Sequence, residues 1–325
     1  MAPHPETSDH LPALFTIGTR GSDLALVQAT ATTAALTSRF QNLRVTRQII
    51  KTTGDRRTDV SLAEVAKAEG IFDKGVFIKE LEQALDDGAI DLAVHSLKDL
   101  PTVLHPRFAL AAVLERAPIR DVLITRDGGG LDSLAPGVRV GTSSVRRARQ
   151  VLFLRPDLQV VDLRGNVPTR LAKMLDSGHY AAILLAEAGL TRLGFLPETA
   201  ASNKSEAVRG MAGIFAARLD ERVFYPAAGQ GAIGLEIRAE DTRAWQLAQA
   251  VNHSATWLRV TAEREFLRLL DAGCHTPVGV FSSLTDGELD LKARVFPESG
   301  GPPQTGAASG TDPIIVALTL FNSLT

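Results

Sequence analysis

One cysteine, Cys274, stands among 325 residues, which excludes an intramolecular disulfide and any metal centre built from several thiolates. Aromatics are scarce as well: 13 Phe, 2 Trp and 2 Tyr make up 5% of the chain, too few to suggest bases stacked along a nucleic-acid strand. No apolar run approaches the ~20 residues a membrane-spanning helix needs. Neither sign of charge dominates. The formal net charge is −2, so overall charge does not mark a binder of long polyanions. Met1–His10 is polar, with neither a basic segment nor an apolar one, and the sequence therefore predicts a cytoplasmic protein without an export signal.

What is present is ample core material, with 45% apolar and 22% charged residues, and a length that suits two or three domains. The arginines are uneven. Between Arg139 and Arg170 the chain carries seven (139, 146, 147, 149, 155, 164 and 170) against two acids, Asp157 and Asp162. A local cationic stretch in a nearly neutral chain points to a small acidic ligand rather than to nucleic acid.

Strand patterns alternate with helix patterns through the first two thirds. Leu14–Gly18 reads as a strand, then a helix with Ser22 as N-cap, then a strand at Val45–Lys51. An amphipathic helix over Phe77–Asp87 precedes a strand at Ile90–His95 and the loop Ser96–Pro101. The logic repeats with a strand at Val138–Gly141, a helix opened by Thr142-Ser143-Ser144 and expected to bury Val145, Ala148 and Leu152, a strand at Leu158–Leu163, a helix carrying Pro168 in its first turn, and a strand at Ala181–Leu185. Such alternation implies largely parallel, helix-covered sheets. After Asp241 the pattern becomes two helices and two strands joined at Asp286-Gly287, a small α+β unit, with Pro297–Thr311 expected as a loose linker.

Several residues could carry chemistry. The turn Gly141–Arg149 is a candidate anion site, since exposed N–H groups at a helix start favour negative charge and Ser143, Ser144, Arg146 and Arg147 add donors. Arginine grips carboxylates in a two-pronged geometry lysine lacks. Any one such arginine is more often a solvated face, but Arg20, Lys98 and Arg164 each follow a strand, where open α/β sheets place ligands. Asp99 lies beside Lys98. A lone loop aspartate is commonly a turn residue, whereas in a cleft a carboxylate can hold an N–H group and stabilise a developing cation. Cys274 follows a helix C-terminus, which does not activate a thiol, although a thioether formed once needs little activation. Gly229–Gly234 matches G-x-G-x-x-G, but a strand follows it rather than a helix, so a dinucleotide site is rejected.

Together these segments resemble the porphobilinogen deaminase family from about residue 15 to residue 296. The pieces are Gly18–Ser22 with Leu24–Ala29, Val94–Pro101, Gly141–Arg147, Leu163–Asn166 with Thr169–Leu171, Pro226–Gly234, and Gly273-Cys274 with Pro277–Gly279. Each is weak alone; their order and spacing are specific. The resemblance implies an α/β protein with two lobes similar to periplasmic binding proteins, built on helix-covered mixed sheets, plus a small α+β C-terminal domain. Domain 1 would span 13–116 and 225–240, domain 2 117–224, and domain 3 241–325. It implies a dipyrromethane cofactor held through a thioether to Cys274, with no metal. Asp99 would be catalytic. Ser96, Lys98, Thr142, Ser143, Ser144, Arg146, Arg147, Arg164 and Gln230 would contact the cofactor, and Arg20, Ser22, Lys74 and Arg170 the substrate.

The implied reaction joins four porphobilinogen molecules head to tail with loss of ammonia, giving the linear tetrapyrrole hydroxymethylbilane, in a monomer with no nucleic-acid or membrane partner. Each porphobilinogen carries an acetate and a propionate, so a six-ring chain would bring about a dozen carboxylates together, which demands fixed cations. The sequence departs from the family at Phe72-Asp73, in the long stretch Leu196–Phe224, and at Ile314–Thr325, which does not read as the usual terminal helix. The main rival is a non-enzymatic, two-lobed binding protein for an acidic small molecule, which leaves Asp99 and Cys274 without a task. A ligand-sensing regulator is a second, lacking a visible docking element.

Overall fold

The computed structural model describes residues 14–53, 78–176, 178–197, 205–271, 276–297 and 299–324. Lys74, Cys274 and the Phe72-Asp73 departure lie outside them.

An apolar strand, β1 (Leu14–Arg20), buries Phe15 and Ile17 completely. The chain then turns, and the Ser22 hydroxyl accepts the Ala25 N–H to start α1 (Asp23–Arg39). β2 (Arg44–Ile50) returns parallel to β1. After α2 (Lys79–Asp86), β3 (Leu92–Ser96) pairs parallel to the other edge of β1. A single 3₁₀ turn, Leu97–Asp99, caps β3, and β4 (Phe108–Val113) follows.

The chain crosses to a second sheet made of β5 (Asp121–Thr125), β6 (Arg139–Gly141), β7 (Gln159–Val161) and β8 (Ala182–Ala186). Its helices are α3 (Val145–Leu154), α4 (Val167–Asp176) and α5 (Glu187–Arg192). The stretch after Leu196, long relative to the family pattern, contributes β9 (Glu206–Ala207) and β10 (Phe215–Arg218) as antiparallel strands at the sheet edge, giving the order β7-β6-β8-β5-β10-β9. β11 (Ile233–Arg238) then returns to the first sheet between β3 and β4, antiparallel to both, so that sheet runs β2-β1-β3-β11-β4. Both sheets are therefore mixed and helix-covered, and two crossovers join the lobes.

Those crossovers touch. Ala117 N–H donates to the Gly231 carbonyl at 3.1 Å, and a Cβ on Gly231 would stand 2.4 Å from the Ala117 oxygen, at a φ of +85°. Gly229, at φ +71°, lies similarly close to the Leu97–Lys98 backbone. The glycine pattern rejected as a nucleotide motif thus serves close backbone approach at the hinge. Gly231→Ala combines a left-handed backbone with a clash and is expected to destabilise by at least about 2 kcal/mol. Urea unfolding checks this, and an unchanged midpoint would contradict it.

The third unit packs α6 (Thr242–Gln249) and α7 (Ser254–Leu269) before the hairpin β12 (Val278–Thr285) and β13 (Glu288–Val295). Asp286 and Gly287, at φ +51° and +83°, make the expected two-residue turn. Two expectations are overturned here. The region read as a linker forms β14 (Gln304–Gly310), antiparallel to β13, and the C-terminus forms a helix, α8 (Pro313–Leu324). β14 hides in the sequence because its small residues are imposed by packing: a Cβ on Gly306 would meet Leu320 and Ser323 at 2.9 Å. α8 carries no charge, yet Asp312 caps it by accepting the Ile314 and Ile315 N–H groups.

A third correction concerns α3. Its expected apolar face is turned outward, with Val145 40% and Leu152 39% exposed, while Arg146, Arg147, Gln150 and Val151 are buried. The cause is a carboxylate beneath the helix.

Candidate active site

That carboxylate is Asp121, fully buried at the start of β5. Its Oδ2 accepts Arg146 Nη1 at 2.6 Å, and its Oδ1 accepts Arg147 Nε at 2.9 Å, Arg147 Nη2 at 2.7 Å and Gln230 Nε2 at 3.2 Å. Burial alone would raise the Asp121 pKa, but the two guanidiniums beside it hold it down at about 2. One carboxylate between two arginines leaves a net positive charge in a fixed position. Arg146 also donates to the Tyr225 carbonyl and Arg147 to that of Leu184, so both side chains are locked before any ligand arrives.

Between the lobes lies a cleft. The first lobe lines it with Gln28, Ser96 and Lys98, the second with Arg147, Arg170 and Arg192, and the second crossover with Gly229–Ala232. Ser96 exchanges hydrogen bonds with the buried amide of Gln28 at 2.8 and 3.1 Å. Gln230 donates to the Ile119 carbonyl as well as to Asp121, while its Oε1 is buried and finds no partner among the described residues. The same holds for Nε of Arg170. A buried unpaired donor and acceptor in one cleft ask for a ligand with both polarities.

Lys98 and Asp99 form the 3₁₀ turn that ends β3. Lys98 is half-buried but crowded by protein: desolvation first, then Arg147 and Arg146, pull its pKa from 10.5 down to about 8, against the opposing pull of Asp99 and Asp121. Arg170 is held at about 10, chiefly by burial, and feels Arg147, Asp162, Asp99 and Arg164. Asp99 is therefore within electrostatic reach of Lys98 on its own lobe and Arg170 on the other.

This arrangement has a pH signature. The folded pKa of Lys98 lies below the unfolded one, so its protonated form costs stability below about pH 8, and that cost fades as pH rises toward 10.5. Its charge, and its hold on a carboxylate ligand, are lost above about pH 8. KM for an acidic substrate is expected to rise above that pH, and to rise less in Lys98→Arg, whose charge persists. Superimposable KM profiles would refute this.

The remaining expected residues divide by how their polar groups are used. Ser22 and Ser144 are helix caps, Ser144 accepting the Arg147 N–H; Ser143 donates to the Leu163 carbonyl at 2.6 Å; Thr142 accepts the Ser144 N–H at 3.2 Å. These hydroxyls shape the turns. Arg20 ends β1 and Arg164 follows Leu163, both half-buried. Among the other arginines of the basic stretch, Arg155 binds Asp157 and the Leu131 and Leu134 carbonyls, and Arg149 reaches the Pro297 carbonyl of the third unit.

Sequence reasoning missed Asp121, Gln28 and Arg192. Arg192 ends the short α5, donates to the Gly231 carbonyl at 2.7 Å, and has its pKa lowered to about 10 by burial. It lies at the far end of a helix, six residues beyond β8, so the strand-end signal that marked Arg164 did not reach it. Gln28 and Asp121 gave none, because an isolated amide on a helix and a carboxylate heading a strand acquire meaning only from their partners.

Two family models match the chain: one described as "Porphobilinogen deaminase, dipyromethane cofactor binding domain" over residues 15–246, and one described as "Porphobilinogen deaminase, C-terminal domain" over 257–319. A protein of Syntrophobacter fumaroxidans named porphobilinogen deaminase is 43% identical over 279 residues, 86% of this chain and 83% of its own. One from Roseiflexus sp. with the same name is 43% identical over 311 residues, 95% of this chain and 94% of its own. Among solved structures, the VFT2 domain of Bordetella pertussis BvgS aligns with 77% of this chain and 93% of its own, with a TM-score of 0.44 and 13% identity, too distant to bear on function.

Proposed function

The chain belongs to the porphobilinogen deaminase family, and on that premise we propose how its cleft makes hydroxymethylbilane from four porphobilinogen molecules. The observation that carries the reading is the cleft itself: a guanidinium pre-aligned on Asp121, an ammonium at Lys98 and an unpaired acceptor on Gln230, with Asp99 next to Lys98 on the same turn. These groups fit a dipyrromethane, whose carboxylates need fixed cations and whose pyrrole N–H groups need an acceptor. When bound, it supplies the terminal pyrrole carbon to which each new unit is joined, and its attachment through Cys274 is part of the proposal.

The chain's own residues bind, orient and stabilise. Arg147, Arg170, Arg192 and Lys98 neutralise acetate and propionate groups, and because Arg147 and Arg192 are hydrogen-bonded in place before binding, little ordering cost falls on those two. Asp99 faces the reacting ring and stabilises the positive charge that develops on the substrate as ammonia leaves. It also takes up the proton shed when the new carbon–carbon bond forms. Arg20, Ser22, Arg164 and Lys74 extend the surface offered to the lengthening chain. The three-domain division proposed from sequence (13–116 with 225–240, 117–224, 241–325) is supported by β11 lying in the first sheet. A cytoplasmic monomer acting on small molecules completes the reading.

The test is direct. Protein incubated with porphobilinogen should release four ammonia molecules per hydroxymethylbilane formed. Saturable binding of porphobilinogen without ammonia release would favour the solute-binding rival.

A further inference from the structure

Helix α7 grips both loops that border the cleft, through two adjacent residues. Glu263 is fully buried and accepts both Arg116 Nη atoms at 2.6 and 2.9 Å and the Gly229 N–H at 2.7 Å. Arg116 in turn donates Nε to the Gln230 carbonyl at 2.8 Å. This network fixes the second crossover. The next residue, Arg264, points its guanidinium at the segment directly after Asp99: Nη1 donates to the Leu100 carbonyl at 3.1 Å, and Nη2 to the carbonyls of Pro101 at 2.6 Å and Thr102 at 3.5 Å.

Three features make Arg264 unlike an ordinary structural arginine. Among the described residues no ion pair within 4 Å joins it to a carboxylate, and its guanidinium donates to the backbone of one loop. That loop belongs to neither a helix nor a strand, so no backbone ladder satisfies its carbonyls and they take donors from elsewhere. On its other side the Lys98–Asp99 turn is held by two backbone hydrogen bonds, Leu97 N–H to the Ala232 carbonyl at 3.0 Å and Leu100 N–H to the Leu97 carbonyl at 3.1 Å, and by the buried side chains of Leu97 and Leu100, so Arg264 supplies the polar anchor beyond Asp99. A planar fork can hold neighbouring carbonyls at once, which a lysine cannot.

We propose that Arg264 is a positioning residue for Asp99, setting the place of the Lys98–Asp99 turn from helix α7. The inference rests on the functional reading above. It assigns the third domain a task beyond carrying the cofactor: its helix holds the catalytic turn of the first lobe in register. Misplacement of a catalytic group by about 1 Å can cost ~100-fold in rate.

The experiment is a double-mutant cycle on cofactor-loaded full-length protein, using Asp99→Asn, Arg264→Gln and the pair. Arg264→Gln should lower kcat by about 30-fold with KM changed by less than about threefold, the covalent adduct intact. In the Asp99→Asn background the same change should cost less than about twofold, because the group it positions is already disabled. Arg264→Lys should recover only part of kcat, and it stands in if the glutamine variant does not fold. Hydrogen exchange should quicken at the amides of residues 97–100 and 102 while the rest of α7 keeps its protection. Multiplicative losses in the pair, or an unchanged kcat in both Arg264 variants, would overturn the proposal while leaving the family activity intact. Full activity in Asp99→Asn alone would overturn both it and the functional reading.

Discussion

Asp99→Asn is expected to lower kcat by about 1,000-fold while the protein keeps its fold, its covalent adduct and its unfolding temperature within about 3 °C. The substitution preserves shape and removes charge. Asp99 is half-buried at the end of the 3₁₀ turn, and among the described residues no hydrogen bond ties down its carboxylate, so little structure depends on it. What the amide cannot do is stabilise positive charge on the substrate or take up a proton. Loss of ammonia creates that charge, and the surrounding cations make the site hostile to it: Lys98 on the same turn and Arg170 opposite. On the proposed reading Asp99 is the carboxylate that meets that charge, so the chemical step should depend on it most. Steady-state kinetics with a mass measurement of adduct content would check it, and retention of more than a tenth of wild-type kcat would reject the assignment.

Asp121→Ala should have the second-largest effect, of a different kind. It removes the shared partner of Arg146 and Arg147, both only 5% exposed, and leaves two like charges buried side by side. Breaking a buried ion pair by deleting one partner costs about 3–5 kcal/mol, and here one deletion takes the counter-charge from two guanidiniums, which keep only their backbone acceptors. The unfolding temperature should fall, and the adduct should assemble poorly because Arg147 loses its alignment. Asp121→Asn, which keeps an acceptor, should be milder. The pH dependence has a definite sign: the folded pKa is about 2, below the ordinary value of 3.8, so this contribution is present above about pH 4 and is lost as pH falls through 2. A wild-type unfolding temperature in Asp121→Ala would contradict the account of α3.

The helix caps and strand ends were readable because their signals are local. Ser22 sits where an N-cap must, and the strands around Ile17, Val94 and Ile183 are apolar runs that only a covered sheet can bury. Three features were not local. The buried face of α3 is charged because Asp121 lies beneath it, and periodicity assumes that the buried face is apolar. β14 is built of small residues because α8 presses on it, so its own propensity is poor. The Arg116–Glu263 pair and the Arg264 contacts join positions about 150 residues apart, a separation over which no spacing rule operates. At the cleft, cations following strands could be found from sequence, whereas the carboxylates and amides that hold them could not.

The most direct test of the central claim is the intact mass of the purified protein, measured beside a Cys274→Ser control after both have been incubated with porphobilinogen. The account predicts an excess over the sequence mass equal to two linked pyrrole units, resistant to denaturation and absent from the control. An unmodified mass in the unaltered protein, or the same adduct in Cys274→Ser, would contradict it.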